Sequence, residues 1–161
     1  MNLTIWENSS KVLAVGILGI MAGFFWTYSV NVNLAMLQVD GATYAKLQSL
    51  FNQNVRHAMF FIFFFGGGIA TVAALAVNYQ HWKTLSFGLL TLAALTYIGG
   101  IIVFTHEVNL PLNYYTESWN PAALPSDWEQ VRAQWNSANM LRVVSSGVAF
   151  VLGLLSLVVR R

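Results

Sequence analysis

Four apolar stretches, at about residues 12–37, 58–78, 85–104 and 138–159, constrain this chain more than any other feature of it. Each is near the ~20 residues an α-helix needs to cross a hydrocarbon layer. A helix also satisfies its own backbone hydrogen bonds there, where no water can. The chain is 57% hydrophobic and only 9% charged, against roughly 25% charge in soluble domains. The expected class is therefore all-α: an integral membrane four-helix up-down bundle, one domain over residues 1–161, with the lipid bilayer as its constant partner. The first stretch follows Lys11 as a secretory leader might, but it is too long and lacks an A-x-A cleavage pattern, so it is taken as a retained span.

Composition also removes function classes. With a net charge of +2 and scattered Lys and Arg, there is no nucleic-acid surface. With no cysteine, there is no disulfide, thiolate metal site or thiol nucleophile, which excludes the small four-span disulfide-forming membrane enzymes.

Taken in order, Gly19, Gly23, Thr27 and Asn31 recur every fourth residue of the first span, and that face is expected to point into the bundle. Gly19-x-x-x-Gly23 lets another helix approach closely and permits a homo-oligomer. After the Asp40-Gly41 turn, residues 42–55 read as an amphipathic helix lying along the membrane, with Tyr44, Leu47, Leu50 and Phe51 on its apolar side. The second span opens on Arg56, His57 and a phenylalanine cluster and contains Gly66-Gly67-Gly68, a run that in lipid permits tight packing or local distortion. About six residues, 79–84, separate it from the third span, so these two are antiparallel neighbours.

A long structured loop, 105–137, follows, and Pro111 is expected to kink or end the third helix. Ser126-Asp127-Trp128-Glu129 has capping-box spacing, so a helix starts near residue 126. From Trp128 through Arg132, Trp135, Asn139, Arg142, Ser146, Ala149 and Gly153 to Ser156, steps of four and three draw one seam into the fourth span.

Alternating spans bring Asn31, Asn33, Arg56, His57, His106, Glu107, Asn109, Asn113, Asn139 and Arg142 to one membrane face, with Trp119, Trp128 and Trp135 on the covering loop. The opposite face offers little beyond His81 and terminal charges. Arg142 is expected to pair with Glu107 or Glu117, because an unpaired arginine entering a bundle is expensive. Lys11, Lys83, Arg160 and Arg161 on the termini and short loop slightly outweigh Lys46, Arg56 and Arg132, which favours cytoplasmic termini.

The residues Val108, Asn109, Pro111, Leu112 and Asn113, then Trp119, the pair Trp128 and Trp135, and Asn139-x-x-Arg142 form a pattern that resembles the small integral membrane family that includes the anthrone oxygenases. The resemblance implies oxygenation of an activated phenolic carbon on a hydrophobic aromatic small molecule. It makes His106 the candidate base, with Arg142, Asn109 and Asn113 its catalytic company and Asn139 a further polar contact; Trp119, Trp128 and Trp135, and Asn31 from the same membrane face, join Asn139 as candidate substrate contacts. A neutral histidine can remove a proton from an acidic carbon while a cation and amide donors stabilise the anion, with no cofactor.

Other readings stay open. His57 and His106, at the same depth on neighbouring helices, could ligate haem or a copper or iron ion in a redox protein. The pocket could instead belong to a non-catalytic subunit that holds a quinone, a lipid or a partner helix. His106 could simply hydrogen-bond at the interface, the asparagines could cap helix ends, and the tryptophans could form an interfacial belt.

Overall fold

A computed structural model of the protein describes residues 3–159; Arg160 and Arg161, used in the orientation argument, lie outside them. Four helices are long and apolar enough to cross a membrane: Thr4–Met36, Ala58–Val77, Leu85–Glu117 and Trp128–Val158. The protein is an integral, multi-pass membrane protein with an all-α bundle. Spans one and two, one and four, three and four, and two and three pack side by side, which closes a ring of four antiparallel neighbours. One end of this ring, the turn end, holds the start of the first span and the tight connection around Tyr79–His81. The other, the loop end, holds a helix at Gly41–Asn54 and the loop at 118–127.

The core is built from Leu18, Met21, Phe25, Phe64, Tyr97, Ile101 and Val143. The second span presents Gly67 to the third, where an added Cβ would stand 2.6 Å from the Tyr97 ring. Tyr97 in turn donates its hydroxyl to the Phe64 carbonyl at 2.8 Å. The triple glycine thus serves close packing: bulk on one helix requires its absence on the other. Gly100 meets Ser145 in the same way between the third and fourth spans.

Three expectations change in the structure. The buried stripe of the first span is Ala14, Leu18, Met21, Phe25 and Ser29, while Gly23, Thr27 and Asn31 are exposed. Thr27 satisfies its own hydroxyl on the Gly23 carbonyl at 2.8 Å, so it needs no neighbouring helix.

The third helix does not stop near residue 104. It continues through π-helical turns at Ile98–Val103 and Thr105–Asn109 into Leu110–Glu117, with Pro111 in the first turn of that last segment. Proline lacks an N–H and crowds the carbonyl one turn back; a wider i to i+5 turn relieves both problems without ending the helix. The first span widens likewise at Tyr28–Val32.

The helix Gly41–Asn54 buries Tyr44, Ala45, Gln48 and Asn52 and leaves Leu50 and Phe51 exposed. Its polar side therefore meets the protein, because the surface beneath it is polar: Gln48 accepts from the Tyr28 hydroxyl at 3.0 Å, and Asn52 donates to Thr116 at 3.2 Å. Asp40 caps its first turn, accepting from Thr43 N at 2.9 Å and Thr43 Oγ1 at 2.8 Å, and these bonds hold its carboxyl below the usual range.

Candidate functional site

The fourth span is one helix from Trp128 to Val158, and its buried line includes Trp135, Asn139, Arg142, Ser146, Ala149, Gly153 and Ser156. Seven-residue spacing carries Trp135, Arg142, Ala149 and Ser156 down one face toward the other three spans.

At the loop end this line becomes polar. Arg142 donates from Nη2 to Asn139 Oδ1 at 2.8 Å, and Asn139 Nδ2 donates to Ser29 Oγ at 2.8 Å. The guanidinium lies 4.8 Å from the Phe25 ring centroid and 5.6 Å from that of Trp135. Trp135 donates its indole N–H to Asn113 Oδ1 at 2.6 Å and packs on Tyr28 at 4.8 Å between centroids.

Arg142 is paired with neither Glu107 nor Glu117, contrary to expectation. Glu117 holds Arg56 in a two-point ion pair, at 3.0 and 2.5 Å, and Glu107 holds His106. Among the described residues no carboxylate bridges to Arg142. Asn139 and the Phe25 and Trp135 rings take that place.

His106 occupies a different surface. Its side chain is 76% exposed and its Nδ1 lies 2.8 Å from Glu107 Oε1. A carboxylate only accepts, so Nδ1 bears a hydrogen toward it, and in the neutral imidazole the lone pair is on Nε2. His106 and Glu107 border a groove of about 300 Å³ whose other walls are Phe64, Phe65, Ile102, Val103, Thr105 and Leu110. Glu107 also borders a more open trough of about 800 Å³ between the third span and the start of the fourth, walled by Phe104, Pro111, Gln134 and Leu141 among others. The structure thus separates His106, outside, from Arg142, which is 8% exposed inside the bundle.

The remaining candidates divide between these places. Asn109 is fully buried, and both ends of its amide lack a partner. Asn31 is exposed on the first span. Trp119 and Trp128 gather around Tyr44, at centroid distances of 6.4 and 6.2 Å, and Arg132 lies over Trp128 and Tyr44 at 4.7 and 5.5 Å. They fasten the helix Gly41–Asn54 onto the loop end. Burial in that cluster pushes the Tyr44 hydroxyl up to about 12.

His57 is exposed and caps the second span, its Nδ1 accepting from Phe60 N at 3.3 Å. No three His, Asp or Glu side chains gather at a metal-binding distance among the described residues.

Sequence reasoning missed the turn end. There Lys11 and Glu7 are 5% and 8% exposed. Lys11 Nζ donates to Ser86 Oγ at 3.1 Å, and Ser86 donates to the Ser156 carbonyl at 2.6 Å. His81 Nε2 lies 3.2 Å from Glu7 Oε1. Asn78 Nδ2 reaches the Glu7 carbonyl at 3.2 Å, Ser10 Oγ at 3.3 Å and the Ala74 carbonyl at 2.8 Å. The available signal was Glu7-x-x-x-Lys11, a one-turn pair just before the first apolar run.

A family model described as anthrone oxygenase matches residues 54–152, well over half of the chain. Neither the curated proteins nor the solved structures contain a match.

Proposed function

Because this chain belongs to the anthrone oxygenase family, we propose that it oxygenates an activated phenolic or anthrone-type carbon, in the groove beside His106. The observation that carries the reading is the His106–Glu107 contact at 2.8 Å on the rim of an apolar, phenylalanine-walled groove. A carboxylate that holds Nδ1–H fixes the tautomer and leaves Nε2 as a base, the arrangement general-base catalysis requires. A groove of about 300 Å³ is at the lower end of small-molecule sites, and aromatic walls suit a flat, lipophilic molecule that arrives through the bilayer.

The chemistry balances with dioxygen as the co-reactant. Nε2 takes a proton from a CH₂ carbon flanked by aromatic rings, and the carbanion adds O₂ at that carbon. The proton returns to the peroxide, and loss of water leaves a C=O, so that CH₂ and O₂ become C=O and H₂O. Histidine supplies proton transfer only; the substrate carbanion supplies the electrons. Arg142 is not assigned to this step.

The test is oxygen uptake by the purified protein in lipid nanodiscs with anthrone. Saturable uptake with formation of the quinone is expected, and His106→Ala should lower kcat/KM by about a hundredfold or more. Binding of anthrone without any uptake would identify a non-catalytic binding protein. An unaltered rate in His106→Ala would remove histidine from the mechanism.

A further inference from the structure

We infer that Arg142, Asn109 and Thr105 form an internal site for one compact monovalent anion, between the third and fourth spans at the loop end. The contacts Asn113–Trp135 and Gly100–Ser145 fix the antiparallel register of these spans. Asn109, one turn from Asn113, is therefore level with Asn139, and Thr105, a turn further in, is level with Arg142.

Four polar atoms at this level are buried without a partner: Thr105 Oγ1, Asn109 Nδ2 and Oδ1, and Arg142 Nε. Asn109 is 0% exposed and Arg142 is 8% exposed. With Glu107 and Glu117 engaged elsewhere, the guanidinium keeps its charge with no carboxylate partner among the described residues. Contacts with the Phe25 and Trp135 rings offset part of the desolvation of that cation, not all of it. A ligand atom with negative charge would accept from Arg142 Nε, Thr105 Oγ1–H and Asn109 Nδ2–H together, which resolves the charge and the orphaned donors at once.

The chemistry is that of a single anionic acceptor atom, either a halide ion or the oxyanion of a phenol. This site touches the groove at His106 through Thr105, but it does not depend on the oxygenation reading. Water in its place would satisfy the donors but leave the charge unbalanced.

The experiment measures thermal unfolding of the full chain in detergent at fixed ionic strength, replacing sodium gluconate with sodium bromide in one series and adding 2-naphthol, titrated above its ionisation, in another. A ligand held only by the folded state raises Tm with saturation. Saturable stabilisation by bromide identifies an inorganic anion, and stabilisation by naphtholate alone identifies a phenolic oxyanion. In either series Arg142→Met should abolish the shift. Asn109→Leu, which keeps the guanidinium, should weaken binding by about tenfold and serves if Arg142→Met does not fold. If neither anion stabilises the wild-type protein, or if Asn109→Leu binds as tightly as wild type, the site is hydrated and the inference is overturned.

Discussion

Both ends of the bundle are polar, yet they differ in how their polar groups are used. At the turn end Glu7, Lys11, Asn78, His81 and Ser86 bond to one another and to free carbonyls. Among the described residues, every buried side-chain nitrogen or oxygen without a partner belongs to the loop end: Asn33, Tyr44, Thr105, Asn109, Trp119, Asn136 and Arg142. A histidine–glutamate contact occurs at each end, half-buried at His81–Glu7 and open at His106–Glu107. Polar groups that are fully satisfied hold a structure together; buried groups left unsatisfied mark a place where something else belongs. The turn end is a closed network, and the loop end keeps unused bonding capacity.

The largest effect that separates the ends is on rate. His106→Ala should lower anthrone oxygenation by about a hundredfold or more, whereas His81→Ala should leave kcat/KM within about twofold while lowering Tm. Equal losses of rate in both variants would abolish the distinction.

The next effects are on stability, where one substitution type should have opposite signs. Asn78→Leu deprives the Glu7 carbonyl and Ser10 of a donor and should destabilise by about 1–3 kcal/mol in reversible detergent unfolding. Asn109→Leu removes an amide that has no partner at either end and should be neutral or stabilising by up to ~1 kcal/mol in the absence of anions. A loss at Asn109 matching that at Asn78 would mean the loop end is as well satisfied as the turn end.

The smallest effect sharpens how the loop end is fastened. The carboxyl of Asp40 is held below its ordinary range by Thr43, so its contribution is present above the unfolded value and fades as pH falls through the folded one. The protection of amides 41–45, taken as exchange relative to the intrinsic rate at the same pH, should therefore fall on acidification below about pH 4, and Asp40→Ala should remove that dependence. Protection that is flat with pH in the wild-type protein would show that the cap contributes nothing.

The spans were legible because a helix in lipid must be long and apolar; Gly66-Gly67-Gly68 was legible only as tight packing or a distortion, and the structure shows the packing at Gly67 and Gly68. Which face of the first span turns inward was not. Lipid and core are equally apolar, so the spacing of Leu18, Met21 and Phe25 carries no contrast with the outward Ile20 and Phe24. Small polar residues such as Thr27 then looked like interface, though Thr27 bonds to its own helix.

In the site, the seam from Trp135 to Ser156 could be read from its spacing, because the polar residues on it stand out against an apolar helix. The separation of His106 from Arg142 could not. It depends on the widened turn at Thr105–Asn109, whose one sequence sign is Pro111, and proline alone does not distinguish a broken helix from a widened one. The turn-end cluster was missed because the first span was begun at its first apolar residue, past Glu7 and Lys11.

The widened turn has a consequence for sequence length. A turn closed from i to i+5 carries one residue more than its α counterpart, so the stretch 105–109 behaves as an insertion absorbed without rotating the helix beyond it. Deleting a single residue there would restore ordinary winding and keep Asn113 facing Trp135, but would press the Pro111 ring into the preceding carbonyl. The deletion should be tolerated only alongside Pro111→Ala, making this proline and the extra residue upstream of it a matched pair.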